Sequence, residues 1–151
     1  MQEFLIAPAD GRAIWLMAIV PVLVMLLVGS LFGAAVLGSR KTRFEVSREG
    51  LRIRGDFYGR TIPAAEIAAA GMAHVDLSRR PALAPGRRTM GTGLPGYRAG
   101  WFRLKNGEKA LVYLTDTSRA VYVPTTAGFS LLLSPSDPDA FVTALRAATG
   151  R

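Results

Sequence analysis

From Ala13 to Leu37 the chain reads AIWLMAIVPVLVMLLVGSLFGAAVL without one charged residue, and no other feature limits the fold as strongly. As a helix rising 1.5 Å per residue, this run crosses a hydrocarbon core of about 30 Å with some tilt. It is too short for two spans. A soluble helix that is apolar on every face needs a partner surface around its whole girth, and a chain of 151 residues has too little left to provide one. Pro21 and Gly29 would weaken a helix in water, but lipid-embedded helices tolerate both, and Trp15 stands where an interfacial aromatic belongs.

The flanks set an orientation. Glu3, Asp10 and Arg12 precede the run, whereas Arg40, Lys41, Arg43, Arg48, Arg52 and Arg54 follow it. The positive-inside bias puts the carboxyl-terminal part in the cytoplasm and the amino-terminal tail outside. A cleaved signal peptide is the competing reading, because FGAAVLGS offers small residues for cleavage. The acidic leading segment and a run longer than an ordinary signal core favour a retained anchor. Cysteine is absent, which excludes a lipoprotein anchor, disulfides, thiolate metal sites and cysteine nucleophiles. The one histidine, His74, has no partner at ligand spacing and reads as structural or merely exposed. The expected organisation is a tail over 1–12, a transmembrane helix over 13–38 and one domain over 40–149.

Beyond Ser39 the apolar run gives way to alternation. In TRFEVS, Phe44 and Val46 face one way; in LRIRG, Leu51 and Ile53 repeat the pattern, and the two runs predict a hairpin. FYGRTIP supplies a third strand ending near Pro63, which cannot donate to a ladder. Residues 64–77 mix helix-favouring alanines with an interrupting Gly71 and read as a short turn or helix and then a strand. Ser78 to Gly96, rich in Pro and Gly and without a period, predicts a long surface loop. YRAGWFRLK and EKALVYLTD flank an Asn106-Gly107 turn, and AVYVPT and FSLLLS follow. The connections are short, so the strands are expected to be antiparallel throughout. Tyr97, Trp101 and Phe102 are expected in the core, Trp101 among them as the strand leaves the loop. SPSDPDAFVTALRAATG reads as a helix with Asp137 at the N-cap, Pro138 in the first turn, Phe141, Leu145 and Val142 on the apolar face, and Gly150 at the end. About seven strands and one helix suit an open barrel or two-sheet sandwich with the helix over one opening.

The runs TRFEVSREGLRIRGDFYGRTIP, GTGLPGYRAGWFRLKNGEKALVYLTD, VYVP and FSLLLSPSDPDAFVTALR, behind a membrane span, resemble the bacterial pleckstrin-homology (PH) domain proteins, which are often membrane-attached. The resemblance runs from about Thr42 to Arg146, with GLPGYRAGWF its most specific part. It implies a seven-stranded, two-sheet half-barrel with a carboxyl-terminal capping helix, and it supplies no catalytic residue. Eukaryotic PH domains hold phosphoinositides in a basic loop between their first two strands; here that turn is only SREG, so this property does not transfer.

Gly91, Gly93 and Gly96 fall at the G-x-G-x-x-G spacing of a dinucleotide turn. That fingerprint must leave a buried strand and open a helix, yet APGRRTM precedes it, Pro95 interrupts it and a strand pattern follows. No P-loop occurs, and Asp137 and Asp139 are explained by helix capping. Catalytic, cofactor and metal sites are therefore not expected.

The formal charge of +8 predicts attraction to a polyanion. Between Asp76 and Glu108 no acid occurs, while Arg79, Arg80, Arg87, Arg88, Arg98, Arg103 and Lys105 all do. Near an anionic leaflet each basic residue contributes about 1 kcal/mol of attraction, so Arg79, Arg80, Arg87 and Arg88 are the candidate contacts for anionic lipid headgroups or a small anionic ligand. Nucleic acid fits less well, because the aromatics that would stack on bases are needed by the core. A PH-like half-barrel leaves a sheet edge and a groove free, which suits a protein partner. The expectation is a single-pass protein of the bacterial cytoplasmic membrane whose cytoplasmic domain is a non-catalytic interaction module.

Overall fold

The structure is a computed structural model that describes residues 11–150 apart from 56. The tail over 1–10, with Glu3 and Asp10, lies outside the described residues. The chain divides into two compact units with the break between Ala35 and Val36.

One helix, α1 (Gly11–Lys41), carries the apolar run and continues through Pro21 without interruption. Its segment Gly11–Ala34 has a mean hydropathy of 2.6 and is long and apolar enough to cross a membrane. Among the described residues none of that segment is buried: Trp15 is 71% exposed and Leu23 58%. Arg40 and Lys41 occupy its last turn, where cations complement the negative end of the helix dipole.

The second unit holds two sheets and a helix. The first sheet is the antiparallel set β1 (Arg43–Ser47), β2 (Gly50–Arg54) and β3 (Thr61–Pro63), with Phe44 opposite Ile53 and Val46 opposite Leu51. The second contains β4 (Ala73–Val75), β5 (Pro85–Leu94), β6 (Tyr97–Leu104), β7 (Lys109–Leu114), β8 (Ala120–Pro124) and β9 (Ser130–Leu133), in the spatial order β4-β8-β9-β7-β6-β5. Short 3-10 turns occupy Ala64–Glu66 and Ala69–Gly71, and Ile67 between them bridges to Thr125. The sheets do not close into a barrel.

Three details differ from the sequence expectation. Nine strands replace about seven, and the unexpected one is β5, which occupies the stretch expected as a loop. β5 is an edge strand exposed along most of its length, so it carries no apolar period; its ladder to β6 and the turn at Pro95-Gly96 hold it extended. The sheet is also not antiparallel throughout, because β7 pairs in parallel with β9. The β8–β9 hairpin folds back so that β9 enters between β7 and β8, and the short-connection rule binds only strands that are sequential and adjacent.

The central strands β7 and β9 are buried on both faces, which is why ALVYL and SLLL read as continuous apolar runs. Phe102, Leu104, Ala110, Val112, Leu114, Ala120 and Leu132 form a cluster on one face, and Leu77, Leu83 and Ala84 fold over it. Leu111, Tyr113, Val121, Val123, Leu131 and Leu133 alternate to the other face and are also buried. There Phe44 of the first sheet meets Tyr113 edge-on at 6.1 Å and Phe141 at 5.9 Å, which ties β1, β7 and the final helix together.

That helix, α2 (Pro138–Thr149), starts and stops where its signals lie. The Asp137 carboxylate accepts from the Ala140 N–H at 3.0 Å, Pro138 fills the first position, and the Gly150 N–H donates to the Arg146 carbonyl. Phe141, Val142 and Leu145 are buried. Removing the cap with Asp137→Ala is expected to lower the domain's stability by about 1 kcal/mol, a loss read from the urea midpoint and restored by Asp137→Ser.

Candidate functional site

The glycines of GTGLPG serve a strand–turn–strand arrangement, not the strand–turn–helix that a pyrophosphate site requires. Gly91 on β5 stands directly opposite Gly100 on β6. Their φ angles are 148° and 120°, and a Cβ on Gly91 would lie 2.3 Å from the Ala99 carbonyl oxygen, one on Gly100 2.4 Å from that of Met90. Two facing glycines thus let the backbones approach where side chains would keep them apart. Leu94-Pro95-Gly96-Tyr97 closes the hairpin, with Gly96 at φ 78° as the third residue of a type II turn demands.

The four candidate arginines are distributed over this region. Arg79 sits in a turn where the Asp76 carboxylate accepts from the Ser78 N–H at 2.9 Å and hydroxyl at 2.6 Å, and its guanidinium lies 3.8 Å from the same carboxylate. Arg80 immediately precedes the 3-10 turn Pro81–Leu83. On β5, Arg87 pairs with Arg103 and Arg88 with Phe102, so neighbouring arginines face opposite sides of the sheet. Arg103 in turn pairs with Lys109. The result is a row of three cations, Arg87, Arg103 and Lys109, across three adjacent strands. Arg103 donates to the Gly107 carbonyl at 2.8 Å, and among the described residues none of the three makes an ion pair. Like charges placed opposite one another oppose sheet formation, so this row presents a face suited to an anion.

Beside the row lies a cluster that the sequence did not reveal. Tyr97 and Phe102 are buried as expected, but Trp101 is only half-buried. Its ring meets Phe129 edge-on at 5.1 Å, with the Arg60 guanidinium 4.8 Å and the Lys109 ammonium 4.6 Å from its centroid. Trp101 is therefore a support for two cations at the margin of the inner face and not a core residue. Its opposite on β5, Met90, is 58% exposed. Arg60 and Trp101 are far apart in sequence, and no local pattern signals their contact.

Among the described residues no buried side-chain nitrogen or oxygen lacks a hydrogen-bond partner. On the opposite face the Glu108 carboxylate accepts from the Tyr122 hydroxyl at 2.8 Å and the Ser130 hydroxyl at 3.2 Å, and burial raises the Tyr122 pKa. The His74 imidazole, half exposed, lies 3.4 Å from the Asp139 carboxylate. Among the described residues no cluster of three metal-ligating side chains occurs. A shallow groove of about 710 Å³ runs between β1 and the start of α2, lined by Thr42, Phe44, Ser134 and Phe141 among others.

Asp76 and Asp116 form matching turns, each accepting from the hydroxyl and N–H of the serine two residues on, and these bonds hold both carboxyls below the usual range. A carboxyl depressed in the folded state contributes stability above its unfolded pKa of about 3.9, and that contribution is lost as pH falls through the folded value. Stability is therefore expected to decline below about pH 4, and Asp76→Asn with Asp116→Asn should flatten that decline in unfolding curves measured from pH 6 to 2.5.

No match to the chain was found among curated proteins or among solved structures. A family model described as Bacterial PH domain matches residues 42–149, which takes in both sheets and the capping helix. On that match and the architecture that accompanies it, the chain belongs to the bacterial PH domain family.

Proposed function

We propose that this protein is a non-catalytic interaction module tethered to the bacterial cytoplasmic membrane, with α1 as a single span, its amino terminus outside and the PH domain at the cytoplasmic face. The domain takes a protein partner along β5, as an extended acidic segment added to the sheet. The observation that carries this reading is β5 itself. It is a ten-residue strand at the end of the six-stranded sheet, paired on one side only. An open edge of that length offers unpaired backbone donors and acceptors to an incoming strand. Arg87 and Arg88 project to either side of it, and their charge discourages pairing between two copies of this chain while favouring carboxylates. The register shifts near Gly86 and Thr89 blunt the first half of the edge, leaving Met90–Leu94 as the regular stretch.

A second reading has its own observation in the row of Arg87, Arg103 and Lys109, which makes no ion pair among the described residues and suits an anionic lipid headgroup or small anion. Photo-crosslinking separates the two. With a photoreactive residue at Arg88 or Thr92 of the full chain in native membranes, protein adducts are expected from both positions and not from Glu49 on the β1–β2 turn. Adducts confined to lipid, or protein adducts from Glu49 alone, would overturn the edge-strand reading.

A further inference from the structure

We propose that the β2–β3 loop is a second membrane contact, in which Phe57 enters the interface of an anionic bilayer beside the point where α1 ends. The proposal rests on the reading of α1 as a membrane span and adds a contact that this reading does not require. Outside α1, two large apolar side chains stand exposed among the described residues, Met90 at 58% and Phe57 at 92%. Phe57 leans edge-on against Tyr58 at 5.8 Å, so the loop offers an aromatic pair with an apolar body and a polar tip, the composition favoured at membrane interfaces.

Position supports the choice of lipid. Gly55, the first residue of the loop, has φ 119°, and a Cβ there would fall 2.1 Å from the Lys41 carbonyl oxygen and 2.8 Å from the Thr42 Cα. Gly55 is thus pressed against the backbone of Lys41 and Thr42, at the step from α1 to β1. Lys41 follows Leu37, the last residue of the apolar run, by only four residues, about 6 Å of helix, which is the depth of one headgroup layer. The charge around the loop agrees: from Arg40 to Arg60 the sequence holds seven basic residues against three acidic ones, and Arg54 and Glu45 pair at 3.5 Å. A soluble partner must diffuse to this loop, whereas the tether keeps the bilayer at a high effective concentration beside it.

The chain has no cysteine, so single-cysteine variants report one site each. Full chains carrying Phe57→Cys, Leu23→Cys or Lys105→Cys are labelled with an environment-sensitive fluorophore. They are then reconstituted in vesicles of phosphatidylglycerol and phosphatidylethanolamine, and quenched by lipids spin-labelled near the headgroup or deep in the chain. The label at 57 is expected to be quenched from the headgroup-proximal position, that at 23 from the deep position, and that at 105 by neither. Quenching at 57 no greater than at 105, with 23 quenched, overturns the proposal and leaves the span standing; no quenching at 23 overturns both. Because a label can itself enter lipid, the unlabelled chain gives a second readout. Trypsin cleavage after Arg60 in the same vesicles should be about tenfold faster in Phe57→Ser than in the natural sequence, the scale set by withdrawing one aromatic from the interface, and equal rates would overturn the proposal.

Discussion

Gly100→Val is expected to cost the domain more than about 4 kcal/mol of its stability, and Gly91→Val nearly as much. Each glycine adopts a φ that side-chain-bearing residues rarely take, and each new Cβ would penetrate the backbone of the facing strand, 2.6 Å from the Gly91 Cα in the case of position 100. The neighbour is main chain and cannot swing away as a side chain would. Strain of this kind costs on the order of 1–3 kcal/mol before the clash is counted, and separating β5 from β6 also uncovers Phe102 and Leu104. Against a stability of roughly 5–15 kcal/mol, a loss above about 4 kcal/mol is expected from the two effects together. Gly96→Ala is the control. It shares the positive φ but has nothing within 4 Å of the new Cβ, so it should cost only about 1 kcal/mol. The measurement is urea unfolding of the full chain in detergent, with Trp15→Phe as the common background so that fluorescence reports Trp101 alone. Equal midpoints for Gly100→Val and Gly96→Ala would show that the close approach of β5 and β6 is not needed.

Arginine at both Leu23 and Leu26 is expected to release the chain from the membrane. Each arginine near the middle of a span costs about 2.5–3.5 kcal/mol on the insertion scale, and the pair therefore shifts the partition by about four orders of magnitude. Both positions lie well inside the segment Gly11–Ala34 and are exposed among the described residues, so the substitution bears on the apolar run and not on packing. Alkaline carbonate extraction reads the result: the natural sequence stays in the pellet, and the doubly substituted chain moves to the supernatant. A double variant that still pellets would mean that something other than α1 holds the protein to the membrane.

What the sequence displayed well was whatever depended on a local signal. α2 was legible from Asp137, Pro138 and Gly150, and the β6–β7 hairpin from Asn106-Gly107 between two apolar runs. β5 was not, because Arg, Thr and Gly on an edge strand mark neither face, and its extended form is imposed by β6. The parallel pairing of β7 with β9 escaped for a related reason: connection length constrains sequential neighbours and is silent on which strand inserts between them. At the candidate site the arginine-rich stretch was visible as charge. Its division was not, since the alternation that separates Arg87 from Arg88 exists only once β5 is a strand. The meeting of Arg60, Trp101, Lys109 and Phe129 joins four separate segments and had no sequence signature at all. Phe57 looked like part of a strand and proves to be the most exposed large apolar side chain among the described residues.

The central claim is that a single span holds this PH domain at the cytoplasmic face of the membrane, and side-specific labelling tests it most directly. Lys105→Cys places one thiol on the exposed β6–β7 turn of a chain that otherwise has none. A membrane-impermeant maleimide is expected to label it in inverted membrane vesicles and to leave it unlabelled in intact spheroplasts. Labelling in intact spheroplasts would place the domain on the outer side and contradict the account.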